Sequence, residues 1–250
     1  INNSNKFSVV IFAAGVGRRL GKLGKRQPKS LLKIKNETLL ELLIKKLRIL
    51  GVKKISIIVG YKSNLIIDLL KKKKIMNINI IKIKNFKKNG HSYTWYQYKK
   101  YWEKEKKNLL FCHADIHFDI KFLRNIISSK KKNIIGVRKI TKNNSNSQNL
   151  VVKTYKNLTI NKIDFLRNIS NPSGEILGIN KFSIESTKNL FRFMDSFFRN
   201  NNNKSLSWEF FLDKYIHLKL DEFHIIKNQS FNWININKFE DYKKAQTLKV

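Results

Sequence analysis

Residues 9–34 read VVIFAAGVGRRLGKLGKRQPKSLLKI: an apolar run, a glycine turn, then a burst of cations ending in Pro28-Lys29. Val9, Val10, Ile11 and Phe12 are β-branched or aromatic, and Ala13-Ala14-Gly15-Val16-Gly17 follows at once, which predicts a buried strand entering a tight loop. Glycine there permits positive φ and leaves no Cβ between the backbone amides and a ligand. A loop of exposed N–H groups binds anions, and Arg18, Arg19, Lys22, Lys25, Arg26 and Lys29 surround this one with positive charge. The cargo that suits such a turn is a phosphate chain.

Spacing separates the phosphate-binding motifs that compete for this stretch. A Walker A loop requires Gly-Lys-Ser/Thr, but Lys29-Ser30 follows Pro28. A dinucleotide fingerprint requires G-x-G-x-x-G, and its third glycine, Gly21, arrives one residue late. The remaining pattern is A-A-G-x-G-x-R-L, then P-K-x-L-L, then an amphipathic helix; residues 13–20 and 28–32 match it. In this the chain resembles the nucleotidyltransferases that couple a nucleoside triphosphate to a phosphorylated small molecule. Helical periodicity over 41–52, closing at a glycine, and an apolar strand over 55–61 follow in that family's order.

Alternating strand and helix patterns continue to residue 127 and predict a mostly parallel sheet with helices on both faces. The resemblance sharpens this to a Rossmann-like three-layer α/β/α fold, with a mixed, mostly parallel sheet and a small antiparallel acceptor-binding region. That region is expected after residue 137, where an Asn/Ser-rich loop (141–149) precedes short alternating segments at 151–155 and 158–160. Helices are expected at 190–198 and 208–216, with a loop at 200–203. A chain of 250 residues suffices for one domain, expected over 7–248, with a nucleotide-binding part to about 136 and an acceptor-binding and C-terminal metal part beyond it.

The sequence opens on Ile1, as a processed chain or a segment of a longer one would, and its polar start carries no apolar signal region. No apolar run approaches the roughly 18 residues of a membrane span, and a single cysteine, Cys112, permits no internal disulfide. A soluble, cytoplasmic protein is the expectation. With 52 Lys and Arg against 17 Asp and Glu, the formal charge is +35, and a nucleic-acid-binding protein is the alternative from a different class. The cations are dispersed in runs such as 71–74 and accompany an excess of Asn and Ile, residues that share A/T-rich codons with Lys. No recognised nucleic-acid-binding motif appears, so nucleic acid is not the expected partner.

The segment Phe111-Cys112-His113-Ala114-Asp115 delivers an acid at the end of an apolar run, where open α/β sheets place their ligand sites. A carboxylate there suits Mg²⁺, which takes few protein ligands beside phosphate oxygens and water. By resemblance Asp115 binds the metal that bridges the triphosphate; its neighbour Asp119 is read from its position as the cap of the following turn and helix. A zinc triad of His113, Asp115 and His117, alternating on one strand face, is the alternative. Late in the chain, Asn237 matches the family's second metal position, with N-capping of the following helix as the other reading.

The resemblance further implies that Arg19 holds the β- and γ-phosphates and Lys29 the α-phosphate and the acceptor phosphate. The backbone of Ala13, Ala14, Gly15 and Gly17 receives the nucleotide, and Arg18 is surface charge. Lys29-Ser30-Leu31-Leu32 is most similar to the choline-phosphate cytidylyltransferase branch, which implies CTP and phosphocholine or a related aminoalkyl phosphate or phosphonate. In that branch's loop, Gly90 approaches the base and Ser92 contacts it. An ammonium is held by aromatic faces and carboxylates, for which Tyr93, Trp95, Trp208, Glu209 and Glu175 are candidates. A sugar 1-phosphate with GTP, UTP or CTP is the same-class alternative, with Asn171, Glu175 and Asn180 as hydrogen-bonding groups.

Overall fold

A computed structural model describes residues 6–86, 88–140, 147–228, 232–248 and 250. Positions 141–146 of the expected Asn/Ser-rich loop, and Phe231 at the start of the expected late strand, lie outside the described residues. The first strand, β1 (Phe7–Ala13), is buried except at Phe12. A short 3-10 turn (Arg18–Leu20), the five-residue helix α1 (Lys22–Arg26) and a second 3-10 turn (Lys29–Leu31) make up the loop behind it. The ribbon of β2 (Lys33–Ile34) and β3 (Glu37–Thr38) then leads into α2 (Leu39–Ile49).

Thr38 decides where α2 begins. The Glu41 N–H donates to Thr38 Oγ1 at 3.2 Å and the Thr38 N–H donates to Glu41 Oε2 at 2.8 Å, a closed capping box. The helix therefore starts two residues ahead of the apolar periodicity, and it ends before Gly51, whose φ of +85° no helix continues.

Beyond it lie β4 (Ile55–Val59), α3 (Ser63–Lys72), β5 (Ile78–Lys82), α4 (His91–Tyr96), α5 (Lys99–Glu105) and β6 (Asn108–His113). Next come β7 (Ile116–Phe118), α6 (Ile120–Ser128), β8 (Ile134–Arg138), β9 (Leu150–Thr154), β10 (Ile160–Phe165) and β11 (Gly174–Phe182). The chain closes with α7 (Ile184–Phe197), α8 (Trp208–Ile216), β12 (His224–Asn228), β13 (Trp233–Asn235) and α9 (Phe239–Thr247). Helix α8 has the expected bounds. Helix α7 starts earlier than expected, because Ser183 Oγ accepts from the Ser186 N–H at 3.1 Å and caps it. No helix among the described residues is long and apolar enough to cross a membrane.

The described residues fall into two compact units that interleave along the chain. The first draws on Ile1–Lys87, Leu109–Arg124 and Phe231–Val250. Its strands lie in the order β6-β1-β4-β5, with β1, β4 and β5 parallel and Ala13 beside Val59. Parallel pairing brings the carboxyl ends of β1 and β4 to one edge, so the loops that leave them meet. The Tyr61 N–H donates to Ala14 O at 3.1 Å, and Lys62 Nζ reaches the carbonyls of Lys25 and Arg26 at 2.6 and 2.9 Å. On its apolar side the glycine loop is anchored by Leu20, which packs in a cluster with Leu32, Ile34, Leu39, Ile236 and Ala245.

The second unit draws on Lys88–Asn108 and Asn125–Ser230. Its strands run β10-β9-β11-β8-β12, antiparallel except for the parallel pair β8 and β12. Aromatic rings fill its core. Trp95 stacks on Phe182 at 5.4 Å and meets Phe191 and Phe211 edge-on. The chain has the expected mixed α/β fold, with a mostly parallel sheet and packed helices; its antiparallel pairing extends further than the short segments after residue 150, into β8 and β11.

Replacing Thr38 by Ala removes the hydroxyl of the capping box and is expected to lower the unfolding free energy by about 1 kcal/mol, read from the urea midpoint at unchanged slope.

Candidate active site

Two backbone hydrogen bonds position the acid at the end of β6. The Ala114 N–H donates to Phe12 O at 3.1 Å, and the Ile236 N–H donates to Asp115 O at 2.9 Å. Asp115 is thereby set beside the last residues of β1 on one side and β13 on the other. Strand β6 stops at His113 and β7 begins at Ile116, so the chain turns at Ala114 and Asp115. The turn breaks the alternation on which a zinc triad depended. His117 instead lies buried in the β7–β13 ribbon opposite Ile234, where burial, reinforced by Lys46 and Lys35, pushes its imidazole down to about 4. Among the described residues no group of three His, Cys, Asp or Glu side chains is placed to hold a metal. Asp119 takes the expected role: its Oδ1 accepts from the Lys121 N–H at 2.8 Å at the start of α6.

The glycine loop and the C-terminal strand converge on Asp115. Lys29 Nζ donates to Asp115 Oδ2 at 3.0 Å and to Asn237 Oδ1 at 2.9 Å, and Arg19 Nη2 donates to that same Asn237 oxygen at 2.9 Å. Asn237 does not cap α9. The cap position is Lys238, and Asp241 Oδ2, in the first turn, accepts from the N–H groups of both Asn237 and Lys238 at 2.9 Å. Asp241 thus fixes the backbone of Asn237 and leaves its amide oxygen to the two cations.

Two glycines make room for this arrangement. Gly17 has φ +66°, and a Cβ on it would stand 2.9 Å from Lys29 Cγ. A Cβ on Gly24 would stand 2.3 Å from Gly17 O. Ala13 and Ala14 are buried beside them, whereas Gly15 is exposed and open space lies where its Cβ would be. Arg18 is exposed, as expected of surface charge.

Whether these residues fit a metal is decided by the donors. Asp115 Oδ2 and Asn237 Oδ1 are hard oxygens that converge on one cation position, since a single ammonium bonds to both. One carboxylate and one amide oxygen make a sparse donor set, of the kind that suits Mg²⁺ completed by water and phosphate oxygens. The residues present fit that ion.

Ala13, Ala14, Gly15, Gly17, Arg19, Lys29, Asp115 and Asn237 all belong to the first compact unit; Gly90, Ser92, Tyr93, Trp95, Glu175, Trp208 and Glu209 belong to the second. Several of the latter are engaged differently from expectation. Ser92 is fully buried, and its Oγ donates to Leu206 O at 2.8 Å, so its hydroxyl is not open to a base. The Gly90 N–H donates to Lys204 O at 2.7 Å, and a Cβ there would meet Leu206 O at 2.0 Å, so this glycine serves a close backbone approach within its own unit.

Trp95 and Trp208 are also fully buried. The rings packed on Trp95 leave it no face for an ammonium, and both indoles are corrected to core residues. Tyr93 is half-buried, with the Lys204 ammonium 5.1 Å from its ring centre. Burial pushes the Glu175 carboxyl up while Arg138, opposite it on β8, opposes the shift with Nε at 2.8 Å and Nη2 at 2.6 Å. Burial likewise pushes the Glu209 carboxyl up, opposed by His91. Asn180 is fully buried.

No expectation gave Asp241, Tyr61 or Lys62 a part in positioning the site. Asp241 had a readable signal, an acid three residues beyond a helix N-cap. Tyr61 and Lys62 had none, because their partners are carbonyls of a loop far away in sequence.

Comparison with known proteins is consistent with this geometry. A model of the family described as "Nucleotidyl transferase" matches residues 8–164. Among curated proteins the chain is similar to CTP:phosphoglutamine cytidylyltransferase of Campylobacter jejuni, 29% identical over 135 residues, 53% of each chain. It is also similar to 2-aminoethylphosphonate cytidylyltransferase of Lancefieldella rimae, 38% identical over 60 residues, 24% of each. The matches thus span about half and a quarter of these relatives' lengths.

Among solved structures, CTP:phosphocholine cytidylyltransferase from Streptococcus pneumoniae superposes with a TM-score of 0.79 over 96% of this chain and 98% of that one, at 17% identity. The inositol-1-phosphate CTP transferase from T. maritima gives 0.80 over 98% and 96%, also at 17%. At these identities the likeness is one of fold.

Gly17→Ala combines a left-handed backbone with a methyl group against Lys29. It is expected to destabilise the protein by about 1 to 2 kcal/mol and to weaken nucleotide binding, measured together by denaturant titration and by calorimetry.

Proposed function

Because the chain belongs to the nucleotidyl transferase family, we propose that it transfers CMP from CTP to a phosphorylated small molecule bearing an ammonium group, with release of pyrophosphate. The observation that carries the reading is the meeting of Arg19, Lys29, Asp115 and Asn237 at the glycine loop behind β1. In such a reaction an oxygen of the acceptor phosphate attacks the α-phosphorus in line. The bond to the β-phosphate oxygen breaks, and its electron pair leaves with pyrophosphate. Negative charge grows on the α-phosphoryl oxygens and on the leaving group, so fixed cations aimed at those atoms lower the barrier.

Each residue of the first unit has a place in this scheme. The backbone at Ala13, Ala14 and Gly15 receives the phosphates, since Gly15 faces open space. Arg19 is exposed on the loop and holds the β- and γ-phosphates. Lys29 is long enough to turn from its present oxygens to the α-phosphate and the acceptor phosphate. Asp115 and Asn237 are the residues that would hold Mg²⁺, which when bound neutralises charge on the triphosphate oxygens.

The choice of CTP follows the names of the similar curated proteins, both cytidylyltransferases, whose acceptors are phosphoglutamine and 2-aminoethylphosphonate. On the acceptor side we propose phosphocholine or a related aminoalkyl phosphate or phosphonate. Tyr93 supports a cationic headgroup, because its ring already faces the Lys204 ammonium. The cytoplasm is part of this proposal, since CTP and a small phosphorylated acceptor are both water-soluble.

The test is pyrophosphate release with Mg²⁺, offering CTP, UTP, GTP and ATP in turn against phosphocholine, 2-aminoethylphosphonate and a set of sugar 1-phosphates. Turnover is expected with CTP and an ammonium-bearing acceptor, and Lys29→Ala or Asp115→Ala is expected to reduce it by about 100-fold or more while circular dichroism stays unchanged. Turnover with a sugar 1-phosphate alone would overturn the acceptor. Salt-sensitive nucleic-acid binding indifferent to both substitutions, with no turnover, would overturn the enzyme.

A further inference from the structure

The oxygens proposed to hold the metal are already bonded to a cation, and that cation is the chain's own. We infer that Lys29 is an internal counter-cation of the divalent site, whose ammonium in the nucleotide-free protein keeps the metal out until a triphosphate draws it away. The inference rests on the reading of Asp115 and Asn237 as metal-holding residues.

Three features make the contact a built one. Lys29 Nζ is within hydrogen-bond distance of Asp115 Oδ2 and Asn237 Oδ1 together, at 3.0 and 2.9 Å, and its side chain is only 15% exposed. The stem runs along a gap that exists because Gly17 lacks a Cβ, which would stand 2.9 Å from Lys29 Cγ. The backbones that carry these oxygens are held in place: the Ile236 N–H donates to the main-chain carbonyl of Asp115, and Asp241 fixes the backbone of Asn237.

Electrostatics then orders the binding events. Lys29 pairs with the carboxylate of Asp115, and Arg19 shares the Asn237 oxygen with Lys29, so these three charged groups sum to a single positive charge. A bare divalent ion would have to displace the ammonium from its oxygens and remain beside it, two like charges within a few ångströms. A metal–nucleotide complex meets no such barrier, because its phosphates offer Lys29 new acceptors as the metal takes the old ones. The metal therefore enters with the nucleotide, and Lys29 moves from the metal site to the phosphates in the same exchange.

The experiment titrates Mn²⁺ into the nucleotide-free full chain and follows bound metal by electron paramagnetic resonance. Wild type is expected to bind Mn²⁺ weakly, and Lys29→Met more tightly by at least about tenfold, although the same variant loses turnover. Lys29→Gln reads the same effect if the Met variant does not fold, and Lys29→Arg, which keeps the charge, is expected to stay weak. Adding Asp115→Asn to Lys29→Met is expected to remove the gain.

Equal Mn²⁺ affinity in wild type and both neutral variants would overturn the inference. A parallel titration with CTP present separates that result from failure of the underlying reading. If Asp115→Asn weakens Mn²⁺–CTP binding, the metal site stands and only the internal cation falls. If Asp115→Asn leaves it unchanged, the metal-site reading falls and takes the inference with it.

Discussion

The ammonium of Lys29 joins two oxygens supplied by segments 86 and 208 residues away in sequence. A half-buried charge is stable only while partners surround it, so this contact requires β1, β6 and β13 to end at one place. The topology of the first unit meets that requirement. Parallel pairing of β1 with β4 sends the glycine loop off the carboxyl edge, the bond from Ala114 to Phe12 brings β6 to the same edge, and the bond from Ile236 to Asp115 brings the C-terminal segment. Gly17 and Gly24 follow from the same demand, since a methyl group at Gly17 would meet the stem of Lys29 and one at Gly24 would meet the carbonyl of Gly17.

The first strand and its loop were legible because their signal is local: a β-branched run, then closely spaced glycines, then cations. Asp115 was legible for a related reason, an acid closing an apolar run. Asn237 was readable only through family likeness. Nothing within its own segment distinguishes a side chain aimed at a distant lysine from one that caps the next helix, and the deciding group, Asp241, acts through the backbone. The start of α2 was written in Thr38 and Glu41 and differs from the apolar periodicity because a cap precedes the face it serves.

What was not legible is mostly what burial decides. Strand β11 is buried along its whole length and so shows no alternation from which antiparallel pairing can be read. Trp95 and Trp208 carry the same chemistry whether a ring faces a ligand or another ring; only the packing of Phe182, Phe191 and Phe211 settles it for Trp95. The alternation of His113, Asp115 and His117 is real in the sequence and absent in space, because the chain turns between the two strands it was taken to unite.

Within each unit, taken by itself, half-buried polar groups are partnered by the chain. Lys29 is held by Asp115 and Asn237, Glu175 by Arg138, and the ring of Tyr93 faces Lys204. Buried charges without partners cost far more than the partners contribute, so a site that must exist before its ligands arrive has to supply stand-ins from its own chain. Binding is then an exchange. An incoming phosphate, amine or metal gains only the difference between its own contacts and those it displaces. On the proposed reading, in a chain with a formal charge of +35, where general attraction for anions is abundant, displacement of Lys29 from its own oxygens is what would favour one phosphate compound over another.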